Sequence, residues 1–201
     1  TEARAALALD SKSALAHALL AEALSSQNQY PAGLDEANKA VGLNDKLAFA
    51  YSARAEVQAN IGLENSDAGL LDTAEQDAEK SLSLAADDDP LSKAMAQSAI
   101  GFVAYQRYAL TGENDALDTA IDTMKKAVEL QGQMALFHSN LGYFYDAQGE
   151  HDKAQKAFED ALAADDAYGH THAGLGWNLY YSDDYAGALG EFDKAIAANP
   201  N

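Results

Sequence analysis

Five histidines and two runs of aspartate are the side chains of this sequence with the widest chemical reach. His170 and His172 are two residues apart. On a helix that spacing points the two rings to different sides, so no chelating pair is expected there. The runs Asp87-Asp88-Asp89 and Asp165-Asp166 lack the alternating oxygen ligands and the glycine of a calcium loop. At helix boundaries such carboxylates cap the following helix and meet its positive dipole end. There is no cysteine, which removes thiol catalysis, thiolate metal sites and disulfides. Ser/His/Asp sets, H-E-x-x-H and phosphate-cradling glycine loops are also missing from the sequence. The expectation is a chain with no catalytic residue, no cofactor and no metal site.

Whatever these residues do, the composition puts them on helices. Alanine dominates the apolar content, and only Pro31, Pro90 and Pro200 interrupt the 201 residues. Alanine is the best helix former and β-branched residues are sparse, so an all-α fold is predicted. The chain carries 32 acidic against 13 basic residues, a formal net charge of −19. Nucleic acid and anionic membrane surfaces are bound by cations, so neither is an expected partner. No apolar run approaches the roughly 20 residues that span a bilayer. The expectation is a soluble protein, with a cytoplasmic setting slightly favoured.

Two stretches, 135–168 and 169–201, superimpose without a gap at an offset of 34 residues. The identities are His138/His172, Leu141/Leu175, Gly142/Gly176, Ala154/Ala188, Phe158/Phe192, Ala161/Ala195, Ala163/Ala197 and Ala164/Ala198. Small or apolar residues recur at intervals of three and four, as in His138, Leu141, Gly142 and Tyr145, which paints one face of a helix. Gly142 and Gly176 would each cost roughly 1 kcal/mol in a solvated helix. Close approach of a partner helix carrying Phe158 or Phe192 offsets that cost.

These residues resemble the tetratricopeptide repeat family, whose unit is about 34 residues of helix, turn and helix. The segment 141–162 follows the family's signature, and Ala198-Asn199-Pro200 resembles its closing turn. The family often has Trp where this chain has His138 and His172, and His17 takes the same place in an earlier unit. All three histidines are therefore read as packing residues. On this register 14–201 is a five-unit array, with units starting near 14, 48, 94, 135 and 169. Residues 1–13 are the second helix of a truncated preceding unit and its turn. The second and third units carry about seven extra residues each, around 63–70 and 107–115. They are expected to lengthen the hairpins without breaking the stack. The resemblance implies an all-α, right-handed superhelical solenoid of antiparallel hairpins.

In this family the first helix of each hairpin lines the concave side. Its second stripe gives the candidate peptide-binding residues Phe102, Tyr105, Ser139, Tyr143, Trp177, Tyr180 and Tyr181. The earlier units place small, polar and acidic residues there, including Glu22, Ser25, Glu56 and Asn60. The stripe has essentially no cation, which argues against a clamp for a peptide's terminal carboxylate. A non-catalytic scaffold for a protein or peptide with apolar anchors and basic flanks is the reading these residues suit. Two alternatives remain open at this stage. One is a regulatory or assembly module of a larger enzyme. The other is an array that self-associates through its open end repeats, a reading the lone first helix and the missing polar cap both invite.

Overall fold

The computed structural model describes residues 2–198, and among them every regular element is a helix. In chain order these are α1 (Glu2–Leu9), α2 (Ala14–Ser25), α3 (Tyr30–Leu43), α4 (Ala48–Glu64), α5 (Ala68–Leu84), α6 (Pro90–Thr111), α7 (Asn114–Leu130), α8 (Ala135–Gln148), α9 (His151–Ala164), α10 (Gly169–Tyr181) and α11 (Tyr185–Ala198). The chain divides into two compact units, 1–123 and 124–201.

In the first unit α2 pairs with α3 and α4 with α5, and each hairpin packs on the next helix along the chain. Their core is built largely from alanine. Ala21 and Ala37 meet Val57, while Ala55, Ala59, Ala74, Ala78 and Ala99 surround Leu71 and Val103. Side chains this small hold the helices close, and dispersion over many short contacts replaces the large aliphatic core of a globular domain. α1 closes onto α2 through Ala3, Leu7, Leu20 and Leu24.

In the second unit α8 pairs with α9 and α10 with α11, and α10 seats on the α8–α9 hairpin. Within each of these hairpins glycine packs against an aromatic ring. A β-carbon at Gly142 would fall 2.5 Å from the Phe158 ring, and one at Gly176 2.6 Å from Phe192. Only glycine leaves room for these rings, so each phenylalanine inserts into its own hairpin's first helix. Where the ring is replaced by Ala37 or Ala78, the first helix carries Ala21 or Ala55 instead. Residue sizes on the two helices compensate each other from hairpin to hairpin.

The turn inside each hairpin holds one residue in the left-handed region: Asn28, Ser66, Gly112, Gly149 and Asp183. These turns show where the extra residues lie. From Ala14, Ala135 and Gly169 the left-handed residue comes 14 positions on, but from Ala48 it comes 18 on. After the turn, Phe158 follows Gly149 by nine, whereas Ala78 follows Ser66 by twelve. The insertion adds four residues to the first helix and three to the second, about one turn to each. Packing therefore resumes in phase, and α4 and α5 reach 17 residues where α8 and α9 have 14.

Candidate binding surface

The expected site residues of the second unit lie on α8 and α10, and the structure treats them unequally. Ser139 is fully buried and its hydroxyl has no hydrogen-bond partner, so it contributes no surface. Tyr143 is half-buried. Its ring stands edge-on to Phe158 at 5.2 Å and lies 4.6 Å from His170, and its hydroxyl donates to the His170 carbonyl at 2.8 Å. It joins α8 to α10.

Trp177, Tyr180 and Tyr181 are 50%, 46% and 64% exposed, large values for aromatic side chains. Trp177 stands edge-on to Phe192 at 5.2 Å, stacks with Tyr181 at 6.1 Å and meets Tyr180 edge-on at 5.9 Å. Tyr185, at the start of α11, extends the cluster through Tyr180 at 5.4 Å. Its hydroxyl donates to Asp183. Sequence reasoning missed Tyr185 because it belongs to the second helix of its hairpin, outside the stripe that the register singles out. Rings that brace one another keep few rotamers to lose on binding, and their polar tips tolerate water.

The first unit differs. Phe102 is partly buried against the core of Leu71, Ala99 and Val103. Tyr105 is half-buried, with its ring 6.3 Å from Tyr108. Beside them runs a polar ladder across α2, α4 and α6. Asn60 donates to the Ser25 hydroxyl at 3.1 Å, and Gln106 donates to the Asn60 side-chain carbonyl at 2.9 Å. Glu22 and Glu56 belong to the same stripe. Burial pushes the Glu56 carboxyl up to about 7. Burial and then the charge of Glu56 raise Glu22 well above the usual carboxylate range.

The raised Glu56 makes a prediction. The folded carboxyl holds its proton up to about pH 7, while an unfolded one releases it near 4.5. The cost of the charged form is therefore absent below the unfolded value, grows between the two and is complete above the folded one. Glu56→Gln should leave stability unchanged at pH 4 and raise it at pH 8. Because the side chain keeps some contact with water, the gain should be about 1–2 kcal/mol rather than the full shift. Urea unfolding of both proteins at the two pH values checks it.

The histidines are structural fasteners. His17 on α2 places Nδ1 2.5 Å from the Glu36 carboxylate of α3, and Nε2 donates to the Ser11 carbonyl at 3.2 Å. His172 on α10 repeats the arrangement with Glu191 of α11 at 2.6 Å and the Asp166 carbonyl at 2.9 Å. Lys39 and Lys194 hold the second oxygens of the two carboxylates at 2.6 and 2.7 Å. Burial works to raise Glu36 and Glu191. The hydrogen bonds and charges of the lysine and histidine outweigh it and leave both below the usual range. His138 keeps only the backbone contact, to the Gly132 carbonyl, because Ala157 stands where the acid would be. The signal was in the sequence, since His, Glu and Lys recur at the same spacing in both hairpins. Among the described residues no three His, Asp or Glu side chains gather as metal ligands, and no helix is long and apolar enough to cross a membrane.

Residues 136–168 match the family model of the tetratricopeptide repeat. The fold is similar to that of a thermophilic tetratricopeptide protein of Thermus thermophilus, with a TM-score of 0.77 over 94% of this chain and 93% of that one, at 19% identity. It is also similar to PilF of Pseudomonas aeruginosa (TM-score 0.61, 17% identity, 92% and 76% covered) and to MamA (0.56, 20%, 90% and 94%). At these identities the likeness is one of fold. No curated protein matches the chain in sequence. Residues 136–168 are thus a tetratricopeptide repeat, and the helical hairpins of the chain share the fold of tetratricopeptide-repeat proteins. Repeats of this kind generally serve as non-catalytic scaffolds for protein–protein interaction.

Proposed function

We propose that this chain is a non-catalytic scaffold that binds a protein segment on the first-helix stripe of its hairpins. On this reading 14–201 forms five repeats beginning near 14, 48, 94, 135 and 169, preceded by a lone second helix. The observation that carries it is the exposed, mutually stacked cluster of Trp177, Tyr180 and Tyr181. Tyr143 holds the same place as Trp177 one hairpin earlier, and Phe102 and Tyr105 supply a smaller aromatic surface in the first unit. The bound segment has apolar anchors that the rings cover and basic flanks that answer a net charge of −19. Aromatic anchors supply most of the affinity, and the acidic surround accelerates encounter.

The test is kinetic. Segments selected from a peptide library on the immobilised chain are measured at low and high salt. Association should slow with added salt more than dissociation quickens, because exposed charges are screened beyond roughly 10 Å at 0.1 M. Selection of neutral or acidic segments, with salt-independent association, would contradict the charge half of the reading. Binding indifferent to replacement of every one of the named aromatics would contradict the other half.

A further inference from the structure

In the first unit α4 packs between α2 and α6, and the hydrogen bonds of Ser25, Asn60 and Gln106 tie the three helices together at 3.1 and 2.9 Å. Glu22, Glu56 and Phe102 lie one turn earlier on the same helices, so they form a second row beside that ladder. Glu22 and Glu56 are partly buried, and among the described residues neither carboxyl has a hydrogen bond or an ion pair. The arginines of the same helices are engaged elsewhere, Arg54 with Asp77 and Arg107 with Asp72 and Glu75. Gln106 is buried as well. Its amide nitrogen donates to Asn60, and its side-chain carbonyl has no partner among the described residues. The row thus gathers acceptors and no donor to meet them. Enclosed carboxyls without a cation are costly, and both respond by holding their protons above the usual range.

We infer that the groove across α2, α4 and α6 is a subsite for an arginine side chain of the bound segment. A guanidinium is all donor and no acceptor, which is the complement of this row. Its planar fork meets the Glu22 and Glu56 carboxylates together and leaves an N–H for the Gln106 carbonyl. Phe102, half-buried in the same row, gives the arginine methylenes an apolar wall. Lysine fits less well, because its ammonium is a compact, strongly hydrated point charge that loses more on entering a partly enclosed place. A divalent cation lacks the ligands, since among the described residues no three His, Asp or Glu side chains gather. This inference rests on the scaffold reading above and names the chemistry of its basic flank, with a place for it in the first unit.

The probe is acetyl-Ala-Arg-Ala-amide, titrated into the full chain while the isotope-labelled glutamate carboxyl carbons are followed by NMR. Peptides with lysine or citrulline in place of the arginine are the controls. The Glu22 and Glu56 signals should move saturably with the arginine peptide, less readily with lysine, and not with the uncharged citrulline. Glu56→Gln should weaken arginine binding at least about tenfold. That variant is expected to be the more stable protein at alkaline pH, so weaker binding there is not a sign of unfolding. Citrulline or lysine binding as well as arginine overturns the inference, and so does binding indifferent to Glu56→Gln. If library-selected segments bind through Trp177 while the arginine peptide leaves both carboxyls unmoved, the scaffold reading survives and the subsite falls. If the arginine peptide binds as expected while selected segments ignore every aromatic replacement, the subsite stands and the aromatic half of the scaffold reading falls.

Discussion

Phe158→Ala should cost about 3–5 kcal/mol of stability, whereas Phe192→Ala should cost only roughly 1–2 kcal/mol. The two rings hold the same place in successive hairpins, each wedged against a glycine of its own first helix. They differ in what lies beyond. Phe158 is closed off by Gly174 of α10 and braced by Tyr143, so its removal opens a cavity among three helices that cannot collapse together. Phe192 has helix on one side and Trp177 at its edge, and part of its surface is already in water. Paired urea unfolding curves measure the difference. Equal costs would mean that the seam between α10 and the α8–α9 hairpin contributes nothing beyond the hairpin, contrary to the packing described. Repeat arrays draw their stability from interfaces between neighbours, and this comparison isolates one such interface.

The second large effect is on binding. Trp177→Ala should weaken a bound segment by about 30-fold or more, equivalent to roughly 2 kcal/mol, with the change almost entirely in the dissociation rate. The indole is the largest ring of the cluster and is held from three directions by Phe192, Tyr181 and Tyr180. Half of its surface already faces solvent, so its replacement should change the free protein little. Tyr143→Ala is the informative control. That ring joins α8 to α10, and its loss should lower stability as well as affinity. Surface plasmon resonance with the selected segment, beside thermal unfolding of each variant, separates the two consequences.

Much of the fold could be read from spacing. The 34-residue offset that aligns Gly142 with Gly176 and Phe158 with Phe192 states a packing rule, glycine opposite ring. A rule that depends on side-chain size survives the step from sequence to structure. The longer α4 and α5 were also legible, because inserting seven residues divides into about one turn on each helix and keeps the face. The binding surface was less so. Tyr143 and Trp177 hold the same place in their hairpins, yet one is a seam and the other is exposed. Tyr143 is a seam because α10 packs on it, a neighbour that the residue's own surroundings in sequence do not reveal. Ser139 shares the stripe but is buried. The His17–Glu36 and His172–Glu191 pairs escaped notice because each partner lies on the other helix of the hairpin, nineteen residues away. Spacing put Glu22 and Glu56 on the candidate binding stripe, but not the burial by adjacent helices that raises both carboxyls.

The scaffold account stands or falls on whether a partner covers the aromatic cluster of α10, and Trp177 is the chain's only tryptophan. Its fluorescence therefore reports that one place without labels. Acrylamide quenching is measured on the free chain and at saturation with the selected segment. The account predicts ready quenching in the free protein, where the indole is half exposed, and a several-fold smaller quenching constant with a blue-shifted emission in the complex. A tightly bound segment that leaves Trp177 as accessible as before would contradict it, and would move the binding surface off the α10 face.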